Sequence, residues 1–229
     1  PFNFPIYTLV RKIAPALIAG NAVVVRPSNT TPTSAFAFAE AVKEAGLPEG
    51  LISILTMTHE VAATLCRRPE IGMITLTGSV TAGQAVLDFC KENIAKPSLE
   101  LGGKTPVIVE PDADLDAVAK SLLAAKTTHC GQVCTSVERL YVHASVHDAL
   151  LERLKAGFAA RGFGDRATHA SLMGPLASET ARRRVHAMVE QAIQEGAMLE
   201  AGGTLPDGPG FFYPPTLLSN CRQDMQIIR

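Results

Sequence analysis

Met73-Ile74-Thr75-Leu76-Thr77-Gly78-Ser79-Val80-Thr81-Ala82-Gly83 passes from a short apolar run into a turn of small residues and on into a stretch with helical spacing. Residues 73–76 read as a strand and residues 81–93 as a helix. The intervening Gly-x4-Gly spacing is not the G-x-G-x-x-G dinucleotide fingerprint. On the residues alone an ordinary strand-to-helix turn is the favoured explanation, ahead of a phosphate-binding loop. Outward from this stretch the alternation recurs. Residues 22–25 form a β-branched run ended by Arg26-Pro27-Ser28-Asn29, a helix over 34–45 is closed by Gly46, and a second run spans 51–55. A helix over about 59–66 precedes the quoted stretch, and Leu99-Glu100-Leu101 follows it. Residues 6–19 carry apolar side chains at helical spacing, with Arg11 and Lys12 on another face and Gly20 as a cap. Strands and helices alternating at this length predict a Rossmann-like parallel sheet covered on both faces. In such a sheet, loops at the strands' carboxyl ends share one crevice. Residues 26–29, 77–83 and 100–102 are therefore expected to line it.

After Gly102-Gly103 a second α/β region begins, with a strand over 106–109 and a helix over 112–128 that takes Asp112 as its N-cap. The turn Cys130-Gly131-Gln132-Val133-Cys134-Thr135 leads into a strand over 139–143. Helices are expected over 147–160 and 179–196, with Arg182, Arg183 and Arg184 on a solvated face. Gly202-Gly203 and residues 205–210 read as loop.

A chain of 229 residues with 47% hydrophobic and 19% charged residues and a net charge of −1 is globular, and its charge offers no surface for nucleic acid. No apolar run approaches the roughly 18 residues that cross a bilayer, and no secretion signal is evident, so no membrane partner and a cytoplasmic location are expected. The five cysteines, Cys66, Cys90, Cys130, Cys134 and Cys221, are odd in number and scattered, which argues for reduced thiols. A C-x3-C pair beside His129 is a poor tetrahedral cage, so no metal is expected.

A cysteine at an element boundary beside glycine is reachable by substrate, which makes Cys134 the candidate nucleophile; taken alone, such a cysteine is more often a packing residue. In Ser98-Leu99-Glu100-Leu101-Gly102-Gly103-Lys104, leucines flank Glu100 and are expected to desolvate it, the setting in which a carboxylate can act as a base near neutral pH. A strand-end surface glutamate is the plain alternative. Asn3, in Pro1-Phe2-Asn3-Phe4-Pro5, reads on its own as a turn residue.

Together, Asn3 in its proline-bounded turn, the Glu100 motif and Gly131-Gln132-Val133-Cys134 resemble the NAD(P)-dependent aldehyde dehydrogenase superfamily. Met173-Gly174-Pro175-Leu176 and Tyr213-Pro214-Pro215-Thr216 are similar to the subgroup of lactaldehyde and other small-aldehyde dehydrogenases. The resemblance implies a cofactor domain over 1–102, a catalytic domain over 103–229, and a homo-oligomer, dimer or tetramer, when full length. It implies that the Cys134 thiolate attacks a small aldehyde, with the Asn3 amide and the Cys134 backbone N–H holding the oxyanion. Hydride passes to NAD or NADP, and water activated by Glu100 hydrolyses the thioester. Arg26, Ser28, Asn29, Gly78, Ser79 and Leu101 are the implied cofactor contacts.

The chain departs from the family pattern in three places. The usual Lys-Pro-Ser-Glu is Arg26-Pro27-Ser28-Asn29, Thr56, Thr58 and Ala62 stand where glycines are common, and Cys130 is an extra thiol. These departures keep two other readings open, a non-catalytic scaffold and a cofactor-independent thiol esterase. The start at Pro1 and the end at residues 224–229 suggest a segment truncated at both ends. The family's Glu-Glu-Ile-Phe-Gly-Pro stretch is expected after Arg229, and the 229 residues alone are expected not to turn over aldehyde.

Overall fold

The computed structural model describes residues 1–165, 167–168 and 173–229. They divide into two compact units, Pro1–Gly102 and Gly103–Arg229. The first contains helices α1 (Pro5–Ile18), α2 (Pro32–Glu44), α3 (His59–Cys66) and α4 (Val80–Asn93), and strands β1 (Val23–Val25), β2 (Ile52–Ile54), β3 (Met73–Gly78) and β4 (Lys96–Leu101). A helix follows each of the first three strands and returns the chain to the starting end, so neighbouring strands pair in parallel. Val23 lies opposite Ile52, and Met73 to Gly78 run opposite Lys96 to Leu101. The hydrogen-bonded ladders are two separate pairs, β1 with β2 and β3 with β4, rather than the one continuous sheet expected. β4 also starts three residues earlier than the apolar run indicated. Lys96-Pro97-Ser98 lacks strand-like side chains, and its pairing to Met73, Ile74 and Thr75 is what makes it extended.

Ile74 from β3, Val86 and Cys90 from α4, and Ala95 form the core of this unit, with Leu76 and Leu99 packed on it. Ser79 caps α4 by accepting a hydrogen bond from Ala82 N–H at 3.2 Å. At the other end Asn93 Nδ2 donates to the carbonyls of Cys66, Arg68 and Ile71, tying α4 to the end of α3 and the turn after it. The glycine that closes the Gly-x4-Gly spacing has a packing reason. A Cβ on Gly83 would lie 3.0 Å from a Leu101 methyl, so the missing side chain lets α4 settle against β4.

The second unit pairs β5 (Thr105–Val109) with β6 (Val137–Val142) in parallel, joined through α5 (Leu115–Thr127). Helices α6 (His147–Ala160) and α7 (Glu179–Gln194) follow, then β7 (Met198–Ala201) and β8 (Leu217–Ser219), which pair antiparallel. Val109, Ala119, Leu122, Leu150, Leu154, Phe158 and Leu217 make its main core. A smaller cluster of Ala192, Ala197 and Met225 sits under the end of α7. The sequence reading contained neither β7 nor β8, which are four and three residues long.

Two other expectations are corrected. The N-cap of α5 is Asp114, not Asp112; Asp114 Oδ1 accepts from the N–H groups of Asp116 and Ala117 at 3.0 and 3.1 Å. Arg182 is not on a solvated face. Its side chain is only 15% exposed and pairs with Glu179 at 2.8 Å, whereas Arg183 is 76% exposed. Glu179, one turn earlier, draws the Arg182 guanidinium inward, where it also donates to the Pro206 carbonyl. No helix among the described residues is long and apolar enough to cross a membrane.

The Gly83 contact is testable by overfilling it. Gly83→Val should destabilise the fold by about 1–3 kcal/mol, because the branched side chain must displace Leu101 in a packed layer. Urea denaturation followed by circular dichroism measures it; an unchanged midpoint would show that α4 and β4 are not in firm contact there.

Candidate active site

α5 ends at Thr127, and the chain turns through a 3₁₀ segment, Thr128–Gly131, before reaching Cys134. His129, Cys130 and Gly131 have φ of 52°, 58° and 71°, so two residues with a Cβ occupy the left-handed region in succession. Two tight turns follow one another, with Gln132 N–H donating to His129 C=O at 3.1 Å and Ser136 N–H to Val133 C=O at 2.9 Å. Cys134 lies in the second turn and is exposed, while Cys66, Cys130 and Cys221 are half-buried and Cys90 is buried. Burial pushes the thiols of Cys66, Cys90 and Cys221 above the ordinary cysteine range, aided at Cys66 by neighbouring Cys90. Two side chains tie the loop to the segment after residue 173. Cys130 Sγ donates to the Gly174 carbonyl at 3.2 Å, and Gln132 Oε1 accepts from Ala177 N–H at 3.0 Å.

Glu100 is not desolvated as expected. Strand alternation turns Leu99 into the core and Leu101 onto Gly83, and it sends Glu100 to the opposite face. There Glu100 is 55% exposed and ion-paired with Arg11 of α1 at 3.0 Å. Asn3 sits just before α1, its Oδ1 accepting from Phe4 N–H at 3.1 Å.

Between β1 and β3 lies a cleft of about 170 Å³, walled also by α1 and the start of α2. Of the expected cofactor residues, Arg26 and Ser28 line it, and Asn29, Gly78, Ser79 and Leu101 do not. Arg26 Nε donates to the Met57 carbonyl at 3.1 Å, and Ser28 Oγ accepts from Thr30 N–H at 3.3 Å. Asn29 is exposed in the turn beside them. Gly78 closes β3, Ser79 caps α4, and the Leu101 side chain is occupied with Gly83.

The cleft includes Thr77, the first residue of the 77–83 stretch expected to line a crevice, and adds Lys12, Thr31 and Thr75, which the sequence reading did not place there. Lys12 Nζ donates to Thr75 Oγ1 at 2.7 Å, and burial, helped by Arg11 and opposed by Glu100, pushes its ammonium below the usual lysine range. Thr31 Oγ1 and Thr77 Oγ1 are buried without a hydrogen-bond partner. Buried hydroxyls left unpaired are costly, so two of them on one cleft mark a place where a polar ligand would find partners. Thr77 was within reach of the sequence, because it belongs to the strand-end turn quoted first. Thr58, one of the departures in the following loop, caps α3 by accepting from Val61 N–H at 3.3 Å.

The aldehyde dehydrogenase family model matches residues 1–229. The chain belongs to that family. It is 42% identical over 230 residues to lactaldehyde dehydrogenase of Escherichia coli, covering all of this chain and 48% of that protein. A crystal structure of the E. coli enzyme superposes with a TM-score of 0.95 over the same shares of the two chains. Succinate-semialdehyde dehydrogenase [NADP(+)] of Mycolicibacterium paratuberculosis is 37% identical over 227 residues, covering 99% of this chain and 48% of its own. Aldehyde dehydrogenase C of Pseudomonas syringae, a mutant solved with NAD+ and octanal, is 33% identical with a TM-score of 0.95, over 100% of this chain and 48% of its own. The chain spans about half the length of the relatives it matches.

In this chain, exposure and thiol environment rank the cysteines. Brief iodoacetamide treatment at neutral pH, followed by peptide mass spectrometry, should label Cys134 first, Cys130 next, and Cys66, Cys90 and Cys221 last. Faster labelling of any of the last three in folded protein would remove Cys134 as the reactive thiol.

Proposed function

We propose that the protein oxidises a small aldehyde to its carboxylic acid with NAD or NADP, using Cys134 as the nucleophile. The observation that carries the reading is that Cys134 alone among the five thiols is exposed, on a loop held by both backbone turns and side-chain contacts. The names of the relatives support the reaction class: one is described with NADP(+), and another was solved with NAD+ and octanal.

The residues of the β1–β3 cleft suit part of a dinucleotide. Two unpaired hydroxyls on Thr31 and Thr77, the Arg26 guanidinium and the Lys12 ammonium are donors of the kind that phosphate and ribose oxygens engage. Arg26, Ser28, Thr31 and Thr77 would hold the cofactor, with Gly78 and Ser79 following at the strand end. When bound, the nicotinamide supplies the hydride acceptor that turns thiol addition into net oxidation.

The chain's own groups do the rest. The Cys134 thiolate forms the carbon–sulfur bond, and the negative charge that moves to the carbonyl oxygen is held by the Asn3 amide and the Cys134 N–H. Glu100 then accepts a proton from the water that cleaves the thioester, returning the sulfur as a thiolate. For this it must leave Arg11, and an ion pair with both partners half exposed to water costs little to break, about 0–1 kcal/mol. This base role separates hydrolysis to the acid from transfer of the acyl group to another thiol. A cofactor-independent thiol esterase would share the nucleophile but has no use for the cleft, and a non-catalytic scaffold has no use for either.

Two measurements on the full-length protein decide between these readings. Cys134→Ala should lower aldehyde-dependent reduction of NAD or NADP by several orders of magnitude, read as absorbance of the reduced cofactor. Acid formation that continues without nicotinamide, or reduction that survives the substitution, would refute the proposal. Cofactor choice gives the second. Asn29 puts no carboxylate beside the Arg26 turn to repel a 2′-phosphate, so NADP should be used measurably, and Asn29→Glu should move the NAD-to-NADP ratio of kcat/KM toward NAD by about tenfold. A strict NAD enzyme indifferent to this change would place the discrimination elsewhere.

A further inference from the structure

The loop that carries Cys134 is strained at its start and exposed at its tip, and it needs something to hold its two ends together. Lys126, in the last turn of α5, is the residue before the buried Thr127 where the loop departs. Glu138, the second residue of β6, lies just beyond the buried Ser136 where it returns. Lys126 Nζ reaches Glu138 Oε1 at 2.6 Å, and Lys104 Nζ reaches Glu138 Oε2 at 3.2 Å. The three side chains are only about 30% exposed (31%, 30% and 29%), so these pairs are partly shielded from solvent.

The Lys126 side chain also runs beside the strained turn. A Cβ built on Gly131 would stand 3.1 Å from the Lys126 carbonyl oxygen and 3.6 Å from Lys126 Nζ. Glu138 therefore draws the ammonium along the loop, next to the residue that completes the left-handed run His129-Cys130-Gly131. Lys104, the third member, is fixed through its backbone, since its carbonyl accepts from Arg139 Nε at 2.8 Å. Backbone held in sparsely populated conformations persists only where its surroundings over-determine it. Here the determinants include two turn hydrogen bonds, two side-chain ties to residues 174 and 177, and this clamp.

We propose that Glu138 is a positioning residue for Cys134: by holding Lys126 and Lys104 at once, it closes the base of the thiol loop and fixes where the sulfur stands. It touches no reacting atom. The inference rests on Cys134 being the nucleophile of the proposed oxidation, but the loop geometry can be read without turnover.

The test uses the full-length protein with Glu138→Gln, Lys126→Met, the two combined, and Glu138→Asp. Glu138→Gln and Lys126→Met should each lower kcat about tenfold or more while leaving KM for the cofactor unchanged, because the cofactor cleft is lined by other residues. The double variant should lose no more than the worse single one, since both break the same link, and Glu138→Asp should recover part of the rate. Independently of activity, iodoacetamide labelling of Cys130 relative to Cys134 should rise severalfold in Glu138→Gln, because a loosened loop releases Cys130 from the Gly174 carbonyl. Were Glu138→Gln not to fold, Lys126→Met carries the same two readouts. A lowered melting temperature with kcat and the labelling ratio both unchanged would overturn the proposal and leave the clamp a stabilising contact only. A raised labelling ratio in a protein that never reduces nicotinamide would uphold the positioning and refute the proposed oxidation instead.

Discussion

Parallel pairing is the constraint on which the first unit depends. A strand hydrogen-bonded in parallel to its neighbour must be followed by a return crossover, so β1, β2 and β3 each hand over to a helix, and their carboxyl ends deliver turns of similar kind. β1 pairs outward with β2, and β3 pairs outward with β4, which leaves β1 and β3 as the two strands lining the cleft. Where no ladder joins two such edges, the polar groups between them lack the partners that a sheet normally supplies. The side-chain hydroxyls of Thr77 on β3 and Thr31 just before α2 add to this, both buried and without a hydrogen-bond partner. Open α/β folds bind ligands at the carboxyl ends of their strands, and it is there, beside β1 and β3, that the cleft's polar groups are gathered.

Much of this was legible before any coordinates. The β-branched runs and the helical spacing of the alanine-rich segments located every element of the first unit, because each strand is bounded by turn residues and each helix is long enough to show its period. What failed was decided by tertiary contacts. Asp112 and Asp114 are equally able to cap a helix, and only the position at which the chain leaves the buried Val109 selects Asp114. Leu217-Leu218-Ser219 has no alternation to read and is a strand because Met198 and Leu199 lie beside it. Arg182 and Arg183 are neighbours of identical chemistry, and their different exposure follows from the helix phase relative to residues far along the chain.

The site divides along the same line. The turn placement of Cys134 could be read, because turns have a sequence signature, and that placement is what made it the candidate nucleophile. Glu100 was read correctly as a strand-end carboxylate but given the wrong environment. Flanking leucines suggest burial when read linearly, whereas a strand's period of two sends residues i−1 and i+1 to the face that residue i does not share. Lys12, Thr31 and Thr75 could not have been read at all. They come from α1, α2 and β3, and only the fold makes neighbours of them.

A nucleophile presents a physical conflict. It must be open to substrate, so burial cannot hold it in place, yet its position has to be reproducible to a fraction of an ångström for bond formation to be efficient. For Cys134, the nucleophile proposed above, residues 127–137 separate the two demands along the chain. Thr127 and Ser136 are buried at the ends, the backbone between them is locked by turn hydrogen bonds and by φ values that few alternatives satisfy, and Cys134 and Thr135, like Thr128 and His129 at the loop's start, are left in solvent. Strain is useful in this arrangement because it narrows the set of conformations open to an exposed segment. Unstrained loops of the same length have many states of similar energy, and a thiol carried on one of them would spend most of its time out of line with its target.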